Sequence, residues 1–198
     1  SPAKNYCKCF GCGKGGNPVH FIMEHEQLSY YDALRWLAKK YHIEIKEREM
    51  TEEEKREESI RESLFVINQY ALQFFTDTLF NTDEGKAIGL NYFHHRGLRD
   101  ETIKKFQLGY SLERRDSFAK TATTAGYKPE LIAKTGVCYS TDNGRLRDRF
   151  WGRVIFPVHT LSGKVVAFGG RILQNNAKAA KYVNSPESEI YHKSDHLY

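Results

Sequence analysis

The chain has 198 residues, of which 40% are hydrophobic and 28% charged, enough for one medium domain or a small module followed by a larger one. No apolar run approaches the roughly 18 residues needed to span a bilayer, and no signal-type apolar segment is found, so nothing points to a membrane-spanning helix or to secretion. The net charge of +5 permits a nucleic-acid partner without demanding one, and four cysteines, three of them clustered, favour metal binding in a reducing cytoplasm over a disulfide framework.

In chain order, the stretch "CKCFGCGKGGNPVHF" (7–21) places Cys7, Cys9 and Cys12 among glycines. Asn17-Pro18 then predicts a helix start, with asparagine as N-cap and proline at the first helical position. Ser29 with Asp32 resembles a capping box for a second helix, in which Tyr31, Leu34, Ala38 and Tyr41 recur at helical spacing. "HIEIK" (42–46) alternates like a short strand. The charge-dense run 47–58 is read as a linker, with the exposed start of a helix as its alternative. Ile60, Leu64, Ile67, Ala71, Phe74, Phe75 and Leu79 predict a long amphipathic helix with a packing stripe. Further helices are expected from Thr82/Asp83 to His95, ended by Gly97, and over 101–106, 117–124 and 129–134. Gly109-Tyr110-Ser111 reads as strand or turn, and 153–173 as two strands around a Ser-Gly turn. The tail from Lys181 is polar and irregular. The order of helices, then strands, predicts an α+β fold: residues 1–46 as a first module, 47–58 as linker and 59–198 as the main domain.

Two patterns carry chemistry. Cys9-Phe10-Gly11-Cys12 is a C-x-x-C knuckle, whose spacing lets one tight turn aim two thiolates at a zinc ion. A redox pair would need a βαβ setting, which does not follow here. Cys7 is read as a bystander, and His20 and His25 as ordinary helix residues. Farther on, Arg145, Arg147, Arg149 and Arg153 recur at spacings of two and four, with Phe150 and Trp151 between them. Arginines beside aromatic rings suit phosphate tracking and base stacking on single strands. The rival reading is a solvated face diluted by Asp142, Asp148, Glu187, Glu189 and Asp195. No P-loop, dinucleotide fingerprint, catalytic triad or convincing magnesium-binding acid pair occurs, so the chain shows no catalytic centre of its own.

Four segments go further. "YCKCFGCGKGGNPVHFIM" resembles the end of the zinc-binding domain of bacterial replicative DNA primases of the DnaG type. "YFHHRGLRDETIKKFQLGYS", "RDRFWGRVIFPVHTLSGKVVAFGGRIL" and "KYVNSPESEIYHKSDHLY" resemble, in order, motifs of that family's RNA-polymerase core. The resemblance implies a zinc site whose second pair is Cys9 and Cys12, the first C-x-x-H pair being expected upstream of Ser1. It implies a template groove containing Arg96, Arg147, Arg149, Arg153, Arg171, Lys181, Tyr182, Asn184 and Lys193. The implied parent enzyme is a DNA-directed RNA polymerase that makes short RNA primers from ribonucleoside triphosphates on single-stranded DNA. It works with a replicative helicase, and its Mg or Mn ions are held by acids of a TOPRIM fold expected beyond Tyr198. On that reading the chain is a fragment that binds template and polymerises nothing. The alternatives are the front end of a phage or mobile-element primase–helicase and a non-catalytic zinc module that binds single strands.

Overall fold

The computed structural model describes every residue except 12, 27, 46–49, 161, 174–178 and 194–198. Cys12, the first residues of the expected linker and the final His196-Leu197-Tyr198 therefore lie outside the described residues.

The N-terminal module opens with a small hairpin, β1 (Cys7–Lys8) paired antiparallel with β2 (Gly15–Gly16). Helix α1 (Pro18–Glu26) begins where Asn17 Oδ1 accepts the His20 N–H at 2.9 Å. Helix α2 (Tyr30–Tyr41) is capped by Ser29, whose hydroxyl accepts the Asp32 N–H and ends against the left-handed His42 (φ 54°). Residues 43–45, expected to extend as a strand, have no strand partner among the described residues.

Of the two readings of the charged run, the exposed start of a helix holds from Glu52. Thr51 and Glu54 form a full capping box, each side chain meeting the other residue's backbone N–H, and this starts the 30-residue α3 (Glu52–Asn81). Three glutamates in its first turn face the positive helix end, which suits them. Of the predicted apolar stripe, Leu64, Ile67, Ala71, Phe75 and Leu79 are buried and Ile60 and Phe74 half-buried; Leu72, outside that stripe, is buried with them.

Beyond α3 a π-helical turn (Gly85–Leu90) runs into α4 (Asn91–His95). The wide turn follows from close approach: a Cβ on Gly85 would collide with the Thr78 carbonyl, and one on Gly89 with Leu79. Gly97 then takes the left-handed conformation (φ 79°) that ends the helix. Next come α5 (Asp100–Lys105), β3 (Gly109–Ser111), α6 (Ser117–Thr124) and α7 (Pro129–Lys134). A hairpin of β4 (Cys138–Ser140) and β5 (Leu146–Asp148) follows, then β6 (Arg153–His159), β7 (Val165–Ile172) and β8 (Tyr182–Asn184).

Strands β3, β6, β7 and β8 form one antiparallel sheet in the order β3-β6-β7-β8. Its inner face, with Ile155 and Phe168, packs on α3, α6 and α7 through Phe75, Phe118, Ile132 and Phe150. On its outer face Tyr110, Val154 and Phe156 meet Phe93 of α4 and Ile103 of α5. These two helices cover only the β3–β6 half of that face. The β7–β8 half stays open, and the candidate site is there.

Candidate nucleic-acid interface

Register assigns the open face. Val154 pairs with Arg171, which pairs with Tyr182, and Phe156 pairs with Gly169, which pairs with Asn184. Directly opposed residues share a face, so Arg171, Tyr182 and Asn184 stand together beyond the α4–α5 cover. Tyr182 is 61% exposed, with the Lys181 ammonium 5.9 Å from its ring centre. Gly169 leaves the surface flat, because the Asn184 amide oxygen lies 3.2 Å from where its Cβ would be. Gly170, on the opposite face, admits Phe150 and the Arg153 stem, which a side chain would displace. Each glycine of the Gly-Gly pair thus serves a different face.

Tyr92 of α4 forms the wall of this platform. Its ring carries the Arg171 guanidinium at 4.7 Å and the Arg96 guanidinium at 5.7 Å. The structure thus brings Arg96, Arg171, Lys181, Tyr182 and Asn184 to one neighbourhood.

Arg153 sits differently. It is only 4% exposed, and its guanidinium donates to the carbonyls of Gly170 (3.3 Å), Lys181 (3.2 Å) and Ala180 (2.8 Å). Burial lowers its pKa, but a guanidinium stays charged across the working range. Its position is that of a strut fastening β8 to β6 and β7.

Arg147 and Arg149 belong to the β4–β5 corner. Arg147 donates to Asp116 at 3.2 Å, and Lys120 meets the same carboxylate at 3.2 Å. Arg149 donates through Nε to the Gly136 carbonyl at 2.7 Å and lies over the Tyr139 ring at 5.8 Å. Gly136 (φ 72°) is in turn packed so closely on Pro186 that a Cβ there would overlap the proline ring. The corner and the β8 strand are therefore linked through Arg149, Gly136 and Pro186. Lys193 is exposed near the end of the described chain.

Beneath the corner, Asp148 is 2% exposed and accepts the N–H groups of Phe118 (2.8 Å) and Ala119 (2.9 Å). It caps α6 from 30 residues away, since Asp116 at the N-cap position makes no side-chain cap. Burial raises its pKa against the lowering effect of those two donors. Cys138, whose thiol donates to Asp148 Oδ1 at 3.5 Å, is pushed up by the same burial.

Two contributors escaped the sequence reading. Tyr92 opens one of the quoted family-like segments but was given no role there, and Arg115 stacks on Trp151 at 4.6 Å although its partner lies 36 positions along the chain. For Tyr92 the available signal was its four-residue spacing to Arg96, which puts the two on one helix face.

In the first module Cys9 lies at the exposed turn of the hairpin. Its carbonyl accepts the Gly13 N–H at 3.0 Å, and Gly13 adopts φ 76°, the tight turn a metal knuckle needs. The Cys7 thiol instead faces the Gly16 carbonyl at 3.4 Å. Among the described residues no three potential ligands gather, so the geometry accounts for one donor, Cys9, on a turn fit to bring a second beside it.

A tight cysteine-bearing turn and two helices leading into an α+β domain form a two-part architecture, and family models match each part. A CHC2 zinc finger matches residues 1–53, and the DNA primase catalytic core, N-terminal domain, matches residues 74–198. The chain belongs to the DNA primase family. A DNA primase of Deinococcus radiodurans is 38% identical over 196 residues, covering 98% of this chain and 32% of that protein. The zinc-binding and RNA polymerase domains of the Aquifex aeolicus primase superpose with a TM-score of 0.60 at 30% identity, covering 98% of this chain and 44% of that one. A DnaG primase catalytic domain bound to ssDNA superposes with a TM-score of 0.62 at 31% identity, covering 68% of this chain and 41% of that one. The chain thus spans about a third of the length of the curated relatives it matches.

Proposed function

We propose that this chain is the template-binding front of a bacterial DNA primase, gripping single-stranded DNA while RNA primers are built from ribonucleoside triphosphates. The observation that carries this is the open half-face of the sheet. Arg96 and Arg171 lie there on one tyrosine, beside the exposed Tyr182 and Lys181, and neither arginine side chain has a carboxylate or carbonyl partner among the described residues. Unneutralised guanidiniums next to an exposed ring suit a phosphate backbone with bases stacked on its inner side. Arg147, Arg149 and Lys193 extend the track, and Arg153 holds its floor in place. Cys9 and Cys12 supply two thiolates of a zinc site that fixes the knuckle's fold. The metal-dependent nucleotidyl transfer, with Mg or Mn, and contact with a replicative helicase are assigned to parts of the primase outside this chain. The setting is the cytoplasm, at the replication fork.

The test is fluorescence anisotropy with a labelled oligodeoxythymidylate across a salt series. Each phosphate contact contributes a slope of about −0.7 in log K against log salt on single strands. We expect a slope of about −2 or steeper, lost in large part with Arg96→Ala and Arg171→Ala together. A salt-independent signal would rule out the reading.

A further inference from the structure

We infer that Tyr92 is a positioning residue for template binding: its ring holds Arg96 and Arg171 together as one phosphate clamp, so the two arginines act as a unit. The inference rests on the template reading above and adds a residue that neither its charge nor the family resemblance placed in the groove.

The geometry is specific. The Arg171 guanidinium lies 4.7 Å and that of Arg96 5.7 Å from the centre of the same ring. One arginine comes from the centre of the sheet and the other from the end of α4, so they share no backbone element. Two cations drawn to one surface repel each other, and a site with that arrangement is stable when the ring attracts both and an anion completes it. No anion of the protein does so: among the described residues neither guanidinium meets a carboxylate. The Arg171 Nε–H is buried and has no hydrogen-bond partner. By contrast, Arg147 has Asp116, and Arg149 and Arg153 have backbone carbonyls. The pair on Tyr92 is thus left for a ligand, and the ligand that fits two guanidiniums with an exposed tyrosine alongside is a phosphodiester of a single strand.

Tyr92 also packs in the outer-face core beside Phe93, so its effect on the arginines must be separated from its effect on folding. Its hydroxyl makes no hydrogen bond among the described residues, which predicts that the ring alone matters. A side chain without a ring frees two long arginines that must then be ordered again at binding, each at an entropic cost.

The experiment measures binding of labelled oligodeoxythymidylate by the whole chain, with thermal melting alongside. Tyr92→Phe is expected to bind as the parent does. Tyr92→Leu, with Tyr92→Met as a second variant should leucine fail to fold, is expected to weaken binding about tenfold and to reduce the salt slope. In a background already carrying Arg96→Ala and Arg171→Ala, Tyr92→Leu should cause no further loss. Unchanged affinity in the folded Leu or Met variant, or an equal loss in the arginine-free background, overturns the clamp while leaving the template reading intact. If Arg96→Ala with Arg171→Ala binds as tightly as the parent, the template reading fails and the clamp fails with it.

Discussion

Replacing Asp148 by alanine separates packing from polar satisfaction at the corner that carries Arg147 and Arg149. The carboxylate accepts two N–H groups of α6, from Phe118 and Ala119, which are 0% and 4% exposed. Without it, both donors are left with no water to replace their partner, a penalty of about 1–3 kcal/mol each. Against that stands the relief of removing a buried carboxylate whose pKa burial has raised. The balance predicts a net loss of about 2–4 kcal/mol for Asp148→Ala, or roughly 5–15 °C in melting temperature for a chain of this size. Asp148→Asn keeps one acceptor oxygen but turns an amide donor toward the second N–H, so about half that loss is expected. Urea unfolding followed by circular dichroism measures both. An alanine variant within about 0.5 kcal/mol of the parent would mean that α6 does not depend on this distant cap. The pH sign is also fixed. A carboxyl with a raised folded pKa binds its proton more readily in the native state. It therefore adds stability as pH falls from that raised value to its ordinary value of 3.8.

Other outcomes follow from the same geometry. Glu189 behaves oppositely: its hydrogen bond from Lys134 lowers its pKa, so its contribution is complete above its ordinary value of 4.5 and is lost as pH falls through the lower folded value. The melting difference between parent and Glu189→Gln should therefore be largest near neutrality and vanish in acid; a difference that persists below pH 3 or so refutes this. Arg153→Met removes three donors to carbonyls around β8. Hydrogen exchange of the Tyr182–Asn184 amides should accelerate at least about tenfold while the β6–β7 centre keeps its protection. Unaltered exchange in β8 would deny Arg153 its role as a strut.

The helices were legible because their punctuation is local: Asn17-Pro18, Ser29 and Gly97 all act where their position suggests. The same kind of signal at Thr51 and Glu54 decides between linker and helix start for the charged run, since their capping box starts a helix at Glu52. Strand β8 and the β4–β5 hairpin were not legible. Each strand is three residues long, too short for alternation to register, and β8 is held by Arg153 and Ser185 rather than by its own pattern. The arginine spacing of two and four promised one shared face. Instead Arg147 pairs with Asp116, Arg149 holds Gly136 and Arg153 is buried, because β5 ends at Asp148 and Gly152 (φ 64°) turns the chain before β6 begins. What makes the platform is the register Val154–Arg171–Tyr182 together with Tyr92 from α4. That is a tertiary coincidence among residues up to 90 positions apart, which no local window contains.

Template binding on the β7–β8 face is tested most directly by ultraviolet crosslinking of a bromodeoxyuridine-substituted single strand to the chain, with the attachment sites read by peptide mass spectrometry. Crosslinks are expected at Tyr182 and in the peptide carrying Tyr92, both suppressed by Arg171→Ala. The half-buried aromatic patch formed by Phe65, Tyr70 and Tyr127 on the α3 side should stay unlabelled. Crosslinks concentrated on that surface, with Tyr182 untouched, would contradict the central claim that the open half of the β7–β8 face holds the template.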